Sequence, residues 1–375
     1  MTGGRVLFVQ STTEIGGAET VLLNLLSDDR VRARAAVAVL GFGRGDLVER
    51  LQRMSVEVYV VPATRMRHPL SLYRTTVAIA ALIRQGGFGI VVGNGAHPQV
   101  FGSIASHMTG AKSVYFVHMI HDVRLFGNGA VDIAAIRGPV DLFMCNSQTS
   151  EGAVLALRPT KPARVVYPGT AEPSFSSEQR DSARIHMTDG MEDAVVFSLF
   201  GRLQRWKGQD IFLRAAKRVS EAVPKARFAI VGGSTFDLEI EFAAELRGLA
   251  GSLGIGTKTS FLGYQREVSP YYAASDVVCH TSRVPEPFGM VIIEAMAHGK
   301  PIIAVAAGGP AEIVESGRNG LLVNLESSDE LADCMIGLAS DVAMRCRLGD
   351  AARADYTERF TVRRMAADFL HALPD

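Results

Sequence analysis

Four charged residues in the second half of the sequence have the types and spacing to bind a phosphorylated, hydroxyl-rich ligand. Arg202 and Lys207 lie five positions apart in the glycine-bounded stretch "GRLQRWKG", and an arginine fork with a lysine point charge could neutralise a diphosphate. Glu286 and Glu294 lie eight positions apart among apolar neighbours. Buried carboxylates need hydrogen-bonding partners, and ligand hydroxyls would supply them. Solvated loop cations and ordinary helix acids are the simpler interpretation of each pair taken alone.

Two weaker candidates lie in the first half. Gly16 and Gly17 precede a helical pattern, whose free N–H groups could hold a phosphate or an acceptor hydroxyl. The stretch matches neither the dinucleotide-binding fingerprint nor the P-loop. His118 ends a predicted strand, with His121 shortly after it, and a histidine at such an edge can contact a substrate or move a proton. A structural glycine turn and a structural histidine are the alternatives.

The elements that must position these residues are short apolar runs that alternate with helical patterns. Most runs are continuously apolar, which is typical of parallel strands covered by helices on both faces. Repeated strand–helix alternation predicts doubly wound parallel sheets, in which ligands bind outside the carboxyl ends of the strands. The predicted strands are residues 5–10, 35–40, 56–62, 90–94, 113–118, 142–147, 164–168, 194–203, 226–233, 259–264, 277–282, 301–307 and 320–323.

A polar stretch at residues 169–193 interrupts this alternation and marks a domain boundary. We therefore predict two Rossmann-like domains, residues 1–170 and 171–358, that face each other across a deep cleft. Residues 1–170 contain 17 Lys and Arg against 11 Asp and Glu, a net charge of +6, and the whole chain is neutral. This asymmetry suggests an anionic partner for the first domain, although two unrelated solvated surfaces would also produce it.

Composition excludes several other classes of protein. The 375 residues are 47% hydrophobic and 21% charged, as in a globular protein with large cores. No apolar run approaches the roughly 20 residues that span a bilayer, and the start lacks a signal-peptide pattern, so we expect a cytoplasmic protein. The four cysteines form no CxxC pair. Neither HExxH nor Asp-x-Asp occurs, so no metal site is predicted.

The order of the motifs along the chain resembles the family 4 glycosyltransferases, which are retaining enzymes of the GT-B fold. The resemblance rests on "GGAE" after the first strand, on His118, and then on "GRLQRWKG", "VGG", "FLGY", "EPFGMVIIEAMAHGKPIIA", "AGGPAEIV" and "NGLLV". The second half matches most densely. The family also returns its last helix to the first domain, which residues 359–375 would do here.

The resemblance implies a role for each charged candidate. Arg202 and Lys207 correspond to the basic pair that grips the donor's diphosphate and stabilises the leaving phosphate. Glu286 corresponds to the acid near the donor sugar's hydroxyls, and Glu294 to the glutamate that binds the nucleotide ribose. The glutamates would then be retained because a sugar and a ribose supply their hydrogen bonds.

The remaining implied site residues are mostly backbone groups. His118 corresponds to the histidine near the sugar, and His121 is its rival for that role. Tyr264 lies where the family holds the base. The other expected donor-binding residues are Gly16, Gly17, Gly201, Gly232, Phe288, Gly289, Met290 and Val291.

The resemblance implies a metal-independent hexosyltransferase that needs no cofactor. The glycosyl–phosphate bond would break towards an oxocarbenium-like state, and the acceptor hydroxyl would attack the same face. We expect a UDP-sugar donor before a GDP-sugar, and a glycan or lipid-linked acceptor in bacterial surface polysaccharide or glycolipid synthesis. Nucleic acid is not an expected partner. A GT-B sugar-nucleotide epimerase and an inactive binding subunit are the alternatives.

A basic segment of the first domain suggests a place for the lipid-linked acceptor. Arg65, Arg67, His68 and Arg74 alternate with apolar residues in "ATRMRHPLSLYRTT". Such a segment could lie against an anionic membrane at the inner face of the plasma membrane. A solvated loop is the alternative.

Overall fold

The computed structural model describes residues 4–41, 43–62, 69–120, 129–157, 159–233 and 240–374. It contains two compact units, one formed by residues 1–170 with 360–375 and the other by residues 171–359. Each unit is built on a single parallel sheet flanked by helices. The predicted fold class, two parallel-sheet α/β domains, is confirmed.

The first unit has a seven-stranded sheet in the order β3-β2-β1-β4-β5-β6-β7, with every pair parallel. Strand order reverses between β1 and β4, which pair directly. Its elements in chain order are β1 Arg5–Gln10, α1 Gly17–Ser27, α2 Asp29–Arg32, β2 Ala35–Leu40, α3 Asp46–Arg53, β3 Glu57–Val61, α4 Pro69–Gly86, β4 Phe88–Asn94, α5 Ala96–Thr109, β5 Lys112–Val117, α6 Gly129–Arg137, β6 Leu142–Cys145, α7 Gln148–Ala156 and β7 Ala163–Val165.

The second unit has a six-stranded parallel sheet in the order β10-β9-β8-β11-β12-β13, which reverses between β8 and β11. A 3-10 turn, Arg205–Lys207, follows its first strand. Its other elements are α8 Ser177–Thr188, β8 Val195–Phe200, α9 Gln209–Ala222, β9 Ala226–Val231, α10 Ile240–Ser252, β10 Thr259–Gly263, α11 Ser269–Ala274, β11 Val277–Cys279, α12 Met290–Ala297, β12 Ile302–Val305, α13 Pro310–Ile313, β13 Leu321–Val323, α14 Ser328–Ser340 and α15 Val342–Arg359.

The last helix, α16 at Val362–Ala372, packs in the first unit although it follows the second in sequence. Thr361 caps it by accepting a hydrogen bond from the Arg364 N–H. Phe369 on this helix stacks on Phe8 of β1 at 5.7 Å between ring centroids, and its ring lies tilted against Phe116 of β5 at 6.3 Å. The helix therefore completes the core over the centre of the first sheet.

The continuously apolar runs are strands because both faces of each sheet are covered. Every residue of β2, for example, is buried. The structure also contains α8 within the polar stretch that marked the domain boundary, a helix that the apolar pattern did not predict. Ser176 caps α8 by accepting a hydrogen bond from the Gln179 N–H. Only three residues of α8 are buried, Ala183, Met187 and Thr188. The apolar face of the helix is therefore small, and its amphipathic pattern is weak.

The candidate residues lie near the two points where strand order reverses. Open parallel sheets bind ligands at the carboxyl ends of the strands beside such a reversal. In the first unit Gly16 follows β1, and in the second unit Lys207 follows β8. Among the helices of the described residues, none is long and apolar enough to cross a bilayer.

Candidate active site

The turn that carries Lys207 is fixed by close backbone contacts in the second unit. Gly208 has φ +69°, and a Cβ added there would lie 2.0 Å from the Thr281 carbonyl oxygen, so this position requires glycine. The Thr281 hydroxyl donates hydrogen bonds of 2.9 Å to the carbonyl oxygens of both Lys207 and Gly208. The segment after β11 therefore holds the end of this turn in place.

Lys207 and Glu286 are in direct contact, as the charged part of a small buried cluster. The Lys207 ammonium donates a 2.7 Å hydrogen bond to Glu286 Oε1, and it lies 4.2 Å from the centroid of the Trp206 ring. His280 Nε2 lies 2.9 Å from the same carboxylate oxygen, and the Ser282 hydroxyl donates to it as well. One oxygen of Glu286 thus faces three donor groups from the protein itself.

The electrostatics of this cluster keep Glu286 ionised. Burial alone would raise the pKa of Glu286, but His280 and then Lys207 more than offset it and hold that pKa well below the usual range. The side chains of Lys207 and Glu286 are only 17% and 8% exposed. A buried ion pair of this kind costs desolvation energy and is weak evidence for stability alone, so a functional reason for it is worth testing.

The segment after Glu286 is a glycine-bounded turn into α12. Gly309 donates its N–H to the Glu286 carbonyl at 2.8 Å. A Cβ on Gly309 would lie 2.3 Å from the Cα of Phe288. This close approach explains why the second glycine of "AGGPAEIV" is a glycine. Gly289 has φ +110° and precedes Met290, the first residue of α12. The first N–H groups of a helix have no partner within it, so those near Met290 and Val291 can donate to an anion.

Glu294 lies on α12 and has a partner of its own. Its Oε2 accepts a 2.8 Å hydrogen bond from the Tyr272 hydroxyl, and the Tyr272 ring stacks on Phe200 at 3.7 Å between centroids. Burial raises the pKa of Glu294 to about 7, against the opposing effect of the Tyr272 hydrogen bond. The two glutamates therefore differ in protonation: Glu286 is an anion, and Glu294 is partly protonated near neutral pH.

The other predicted donor residues lie at the ends of β8, β9 and β10. Gly201 and Gly232 have φ of +139° and +149°, and a Cβ on Gly232 would lie 1.9 Å from the Gly201 carbonyl oxygen, so the two strand ends touch through their backbones. Arg202 is exposed, and within the described part of the chain its guanidinium has no hydrogen bond or ion pair. Tyr264 is 65% exposed.

His118 in the first unit ends a chain of buried polar side chains. Its Nε2 lies 2.7 Å from Oδ1 of Asn94, the last residue of β4. Asn94 Nδ2 donates to Gln10 Oε1 at 2.7 Å, and Gln10 Nε2 donates to Glu19 Oε1 at 2.7 Å. Glu19 also accepts the Gly16 N–H, at 2.9 Å. The glycine pair and His118 are thus connected through three residues, of which only Glu19 belongs to a motif that the sequence indicated, "GGAE".

His118 is neutral over the ordinary pH range because its burial lowers its pKa to about 3. Its ring packs at 4.3 Å between centroids on Phe116. The buried Nδ1 atom has no hydrogen-bond partner among the described residues. His121, the rival for the site histidine, lies outside the described residues. Gly17 is exposed as the first residue of α1.

Several side chains of these sites escaped the sequence analysis. His280 and Ser282 follow β11 directly, and Gln10 and Asn94 are the last residues of β1 and β4. A search for polar residues at the carboxyl ends of predicted parallel strands would have found all four. Tyr272 and Glu19 gave no such signal, since one lies on a short helix and the other resembles an ordinary first-turn acid. No cluster of three or more potential metal ligands occurs in the described ranges.

Comparison with known proteins shows that most of the second unit is similar to a known family. Residues 185–355 match the family described as "Glycosyl transferases group 1". The chain is 29% identical over 304 residues to the D-inositol 3-phosphate glycosyltransferase of Kribbella flavida, an alignment that covers 76% of this chain and 70% of that protein. It is 31% identical over 270 residues to D-inositol 3-phosphate glycosyltransferase 1 of Catenulispora acidiphila, covering 66% and 64%. Three of the first four curated relatives are covered over less than two thirds of their length.

Solved structures match over the entire chain. The structure of Anabaena Alr3699/HepE in complex with UDP and glucose superposes with a TM-score of 0.86 and 28% identity, and the match covers 99% of this chain and 100% of that one. This neighbour holds a nucleotide and a sugar, the two parts of a sugar-nucleotide donor. The chain therefore has the GT-B fold, and residues 185–355 within its second unit match the glycosyl transferases group 1 family.

Proposed function

We propose that this chain is a retaining family 4 glycosyltransferase that moves a hexose-type sugar from a nucleotide-diphosphate sugar to a hydroxyl acceptor. The contact between Lys207 and Glu286 is the observation that carries the proposal. It joins the residue assigned to the diphosphate and the residue assigned to the sugar in one buried cluster beside the reversal of strand order. Both belong to the segment that matches the glycosyl transferases group 1 family.

The basic residues supply the leaving-group stabilisation in this mechanism. An ammonium group has three donors, so Lys207 can bind a phosphate oxygen while it keeps its bond to Glu286. Arg202 is exposed at the end of β8, where its fork is available to the diphosphate. Charge that grows on the departing diphosphate is then met by two cations and by the N–H groups that begin α12.

A same-face reaction without a covalent intermediate follows from the state of Glu286. Lys207, His280 and Ser282 all direct donor groups at its Oε1, and a carboxylate oxygen with three donors is a poor nucleophile. We therefore assign Glu286 to the sugar's hydroxyls rather than to attack on the anomeric carbon. The acceptor hydroxyl attacks as the glycosyl–phosphate bond breaks, and the departing phosphate takes its proton. No metal is required in this scheme.

The donor that we propose is a UDP-sugar, with a GDP-sugar as second choice. The structural neighbours that match over the full chain were solved with UDP and with UDP-glucose. Tyr264 presents a 65% exposed ring beyond β10, on which a base can stack. Glu294, partly protonated without ligand, is assigned to the ribose hydroxyls. Replacing Tyr264 by leucine should raise the KM for the donor about fivefold to tenfold while kcat stays near normal.

The acceptor that we propose is a hydroxyl of a glycan or lipid-linked glycan in bacterial surface polysaccharide or glycolipid synthesis. The names of the curated relatives favour a second candidate, an inositol phosphate or a similar phosphorylated polyol. The net charge of +6 on residues 1–170 suits an acceptor that carries phosphate, as the second candidate does. Transfer assays with both acceptor classes distinguish them.

A peripheral membrane contact would deliver a lipid-linked acceptor, and we place it at the start of α4. Leu70, Tyr73 and Val77 are 59%, 65% and 37% exposed and share one helix face with the exposed Arg74. The preceding basic residues, Arg65, Arg67 and His68, lie outside the described residues. Co-sedimentation should be stronger with anionic than with neutral vesicles, and equal binding to both would count against the contact.

A donor panel followed by product analysis tests the proposal as a whole. A bound sugar nucleotide should raise the melting temperature by mass action, with the largest shift for a UDP-sugar. NMR of the product should show that the anomeric configuration of the donor is retained. Conversion of the donor without an acceptor would instead favour an epimerase, and binding without turnover would favour an inactive binding subunit.

A further inference from the structure

The hydrogen bonds that connect His118 to Glu19 all run in one donor-to-acceptor direction. An ionised carboxylate can only accept hydrogen bonds, and Glu19 faces two donors, the Gly16 N–H and the Gln10 amide nitrogen. Once the nitrogen of Gln10 faces Glu19, its oxygen must face Asn94. Three of these side chains are almost completely buried, with Gln10 1%, Glu19 8% and Asn94 4% exposed, so water cannot readily replace a missing partner.

The orientation of Asn94 is fixed by a second, independent contact. Its amide nitrogen lies 2.7 Å from Gln10 Oε1 and also 3.4 Å from the Ala18 carbonyl oxygen. Both neighbours are acceptors, so the nitrogen of Asn94 belongs on that side and its oxygen on the side of His118. His118 Nε2, at 2.7 Å from that oxygen, must then carry the proton.

We propose that Glu19, Gln10 and Asn94 are positioning residues that hold His118 as the Nε2–H tautomer, with the lone pair of Nδ1 available to a ligand hydroxyl. The tautomer of a neutral histidine is set by the hydrogen bond at its other nitrogen. Here that bond is determined by a carboxylate three side chains away. The second observation is the Nδ1 atom itself, which is buried and lacks a partner among the residues described.

This arrangement restricts what His118 can bind. A lone pair on Nδ1 accepts a hydrogen bond from a sugar hydroxyl, but it cannot donate one to a phosphate oxygen. In terms of the proposed function, on which this point rests, His118 would select a hydroxyl-bearing part of a substrate rather than its phosphate groups. The opposite tautomer would present an Nδ1–H donor and favour anions.

The alternative is that these hydrogen bonds run in the opposite direction, which requires a protonated Glu19. In that case Glu19 would donate to Gln10, Gln10 to Asn94 and the Asn94 nitrogen to His118. The oxygen of Asn94 would then face the Ala18 carbonyl oxygen, an acceptor against an acceptor. The backbone contact at Ala18 therefore disfavours the reversed direction.

Nitrogen-15 NMR of the full chain without any substrate tests this inference. Long-range ¹H–¹⁵N correlation spectra distinguish a protonated ring nitrogen from one with a lone pair, and the His118→Gln variant assigns the signals among the nine histidines. The parent protein should show a protonated Nε2 and a lone pair on Nδ1. A parent spectrum with the proton on Nδ1, or with both nitrogens protonated at neutral pH, would overturn the proposal.

Glu19→Gln is the discriminating variant, because a glutamine can donate as well as accept and no longer sets the direction. Its His118 signals should become a mixture of the two tautomers, and kcat/KM for the donor should fall about tenfold. Glu49→Gln, the same change at a side chain 61% exposed in the same unit, should alter neither. An unchanged His118 spectrum in Glu19→Gln, with the fold intact by circular dichroism, would refute the role of Glu19. Because the spectra need no substrate, the expected tautomer without sugar transfer would refute the proposed function alone.

Discussion

Each unit has a histidine near its reversal of strand order, and the two histidines have opposite kinds of partner. His118 in the first unit contacts the neutral amide of Asn94, two side chains away from the nearest carboxylate of its relay, Glu19. His280 in the second unit contacts Glu286, an ionised carboxylate that also binds Lys207. One sheet edge therefore has a neutral amide beside its histidine, and the other has a buried ion pair.

This difference shows how a repeated architecture can carry two edges that suit different chemical groups. A sugar nucleotide has a hydroxyl-rich part and an anionic part, and these require different electrostatics. Neutral amides orient a lone pair without attracting anions, whereas a buried cation attracts them strongly at low effective dielectric. The two sites can be tested separately because they lie in separate compact units.

The largest effect is expected at the charged site. Lys207→Ala should lower kcat at least about a hundredfold, because a donor that stabilises the leaving group is worth about 3 kcal/mol. The measurement is the initial rate of transfer from a UDP-sugar, with circular dichroism to check the fold.

Arg205→Ala is the matched control for this variant. Arg205 lies in the same turn, but its side chain is 69% exposed and pairs with Glu245, so its loss should change kcat less than about twofold. If Lys207→Ala is folded and turns over at a near-normal rate, Lys207 does not stabilise the leaving group. The proposed contrast between the two sites would then be wrong.

The neutral site should contribute less. His118→Ala removes one neutral hydrogen bond to a sugar hydroxyl and should lower kcat/KM about tenfold, and the loss should be the same at low and high salt. Steady-state kinetics at two ionic strengths check this. A loss comparable with that of Lys207→Ala, or one that changes strongly with salt, would mean that His118 acts on charge.

The two glutamates of the second unit should differ in how pH affects their contribution to stability. The raised pKa of Glu294, about 7 against an ordinary 4.5, means that its favourable contribution is fully present below about pH 4.5 and is lost as pH rises through 7. Glu286, whose pKa is lowered, contributes above about pH 4.5 and loses that contribution at lower pH.

Urea unfolding between pH 5 and 8 of the parent and of Glu294→Gln measures the contribution of Glu294. The free energy of unfolding of the variant, relative to the parent, should increase with pH over this range. Parallel pH curves for the two proteins would show that Glu294 titrates normally in the folded state.

The smallest effect is expected from metal removal. Excess EDTA should leave the transfer rate within about twofold of its untreated value, because Arg202 and Lys207 supply the positive charge that a cation would otherwise provide. The assay is repeated after dialysis and with added Mg²⁺. A rate that falls with EDTA and returns with Mg²⁺ would show that a metal, rather than these side chains, stabilises the leaving group.

The sequence predicted the strands well because fully buried parallel strands produce apolar runs that no turn signal interrupts. β1 and β2 have the predicted bounds, and the other strands lie within or overlap the predicted runs. Ends were less accurate, since the polar residues after β11 were assigned to the strand although they form the site. α8 was missed because its stability depends on capping and on three buried residues, and an apolar count does not detect these.

The sequence predicted which residues belong to the candidate site, but it did not predict the hydrogen bonds and ion pairs among them. Residue types identified Lys207 and Glu286, whereas their contact depends on the backbone approach of Gly208 to Thr281, a distance that no spacing encodes. The pKa values of Glu286 and Glu294 move in opposite directions because of His280 and burial, respectively. Sequence patterns cannot predict these shifts, because partners such as His280 and Tyr272 come from other strands and helices.

The return of α16 to the first unit has a consequence for biosynthesis. The first 170 residues leave the ribosome before their core can close, because Phe369, which covers Phe8, is translated only after the whole second unit. The second unit is contiguous and can fold while translation continues. The nascent first unit therefore keeps an apolar surface uncovered for most of its synthesis, and this surface is where a chaperone would bind it.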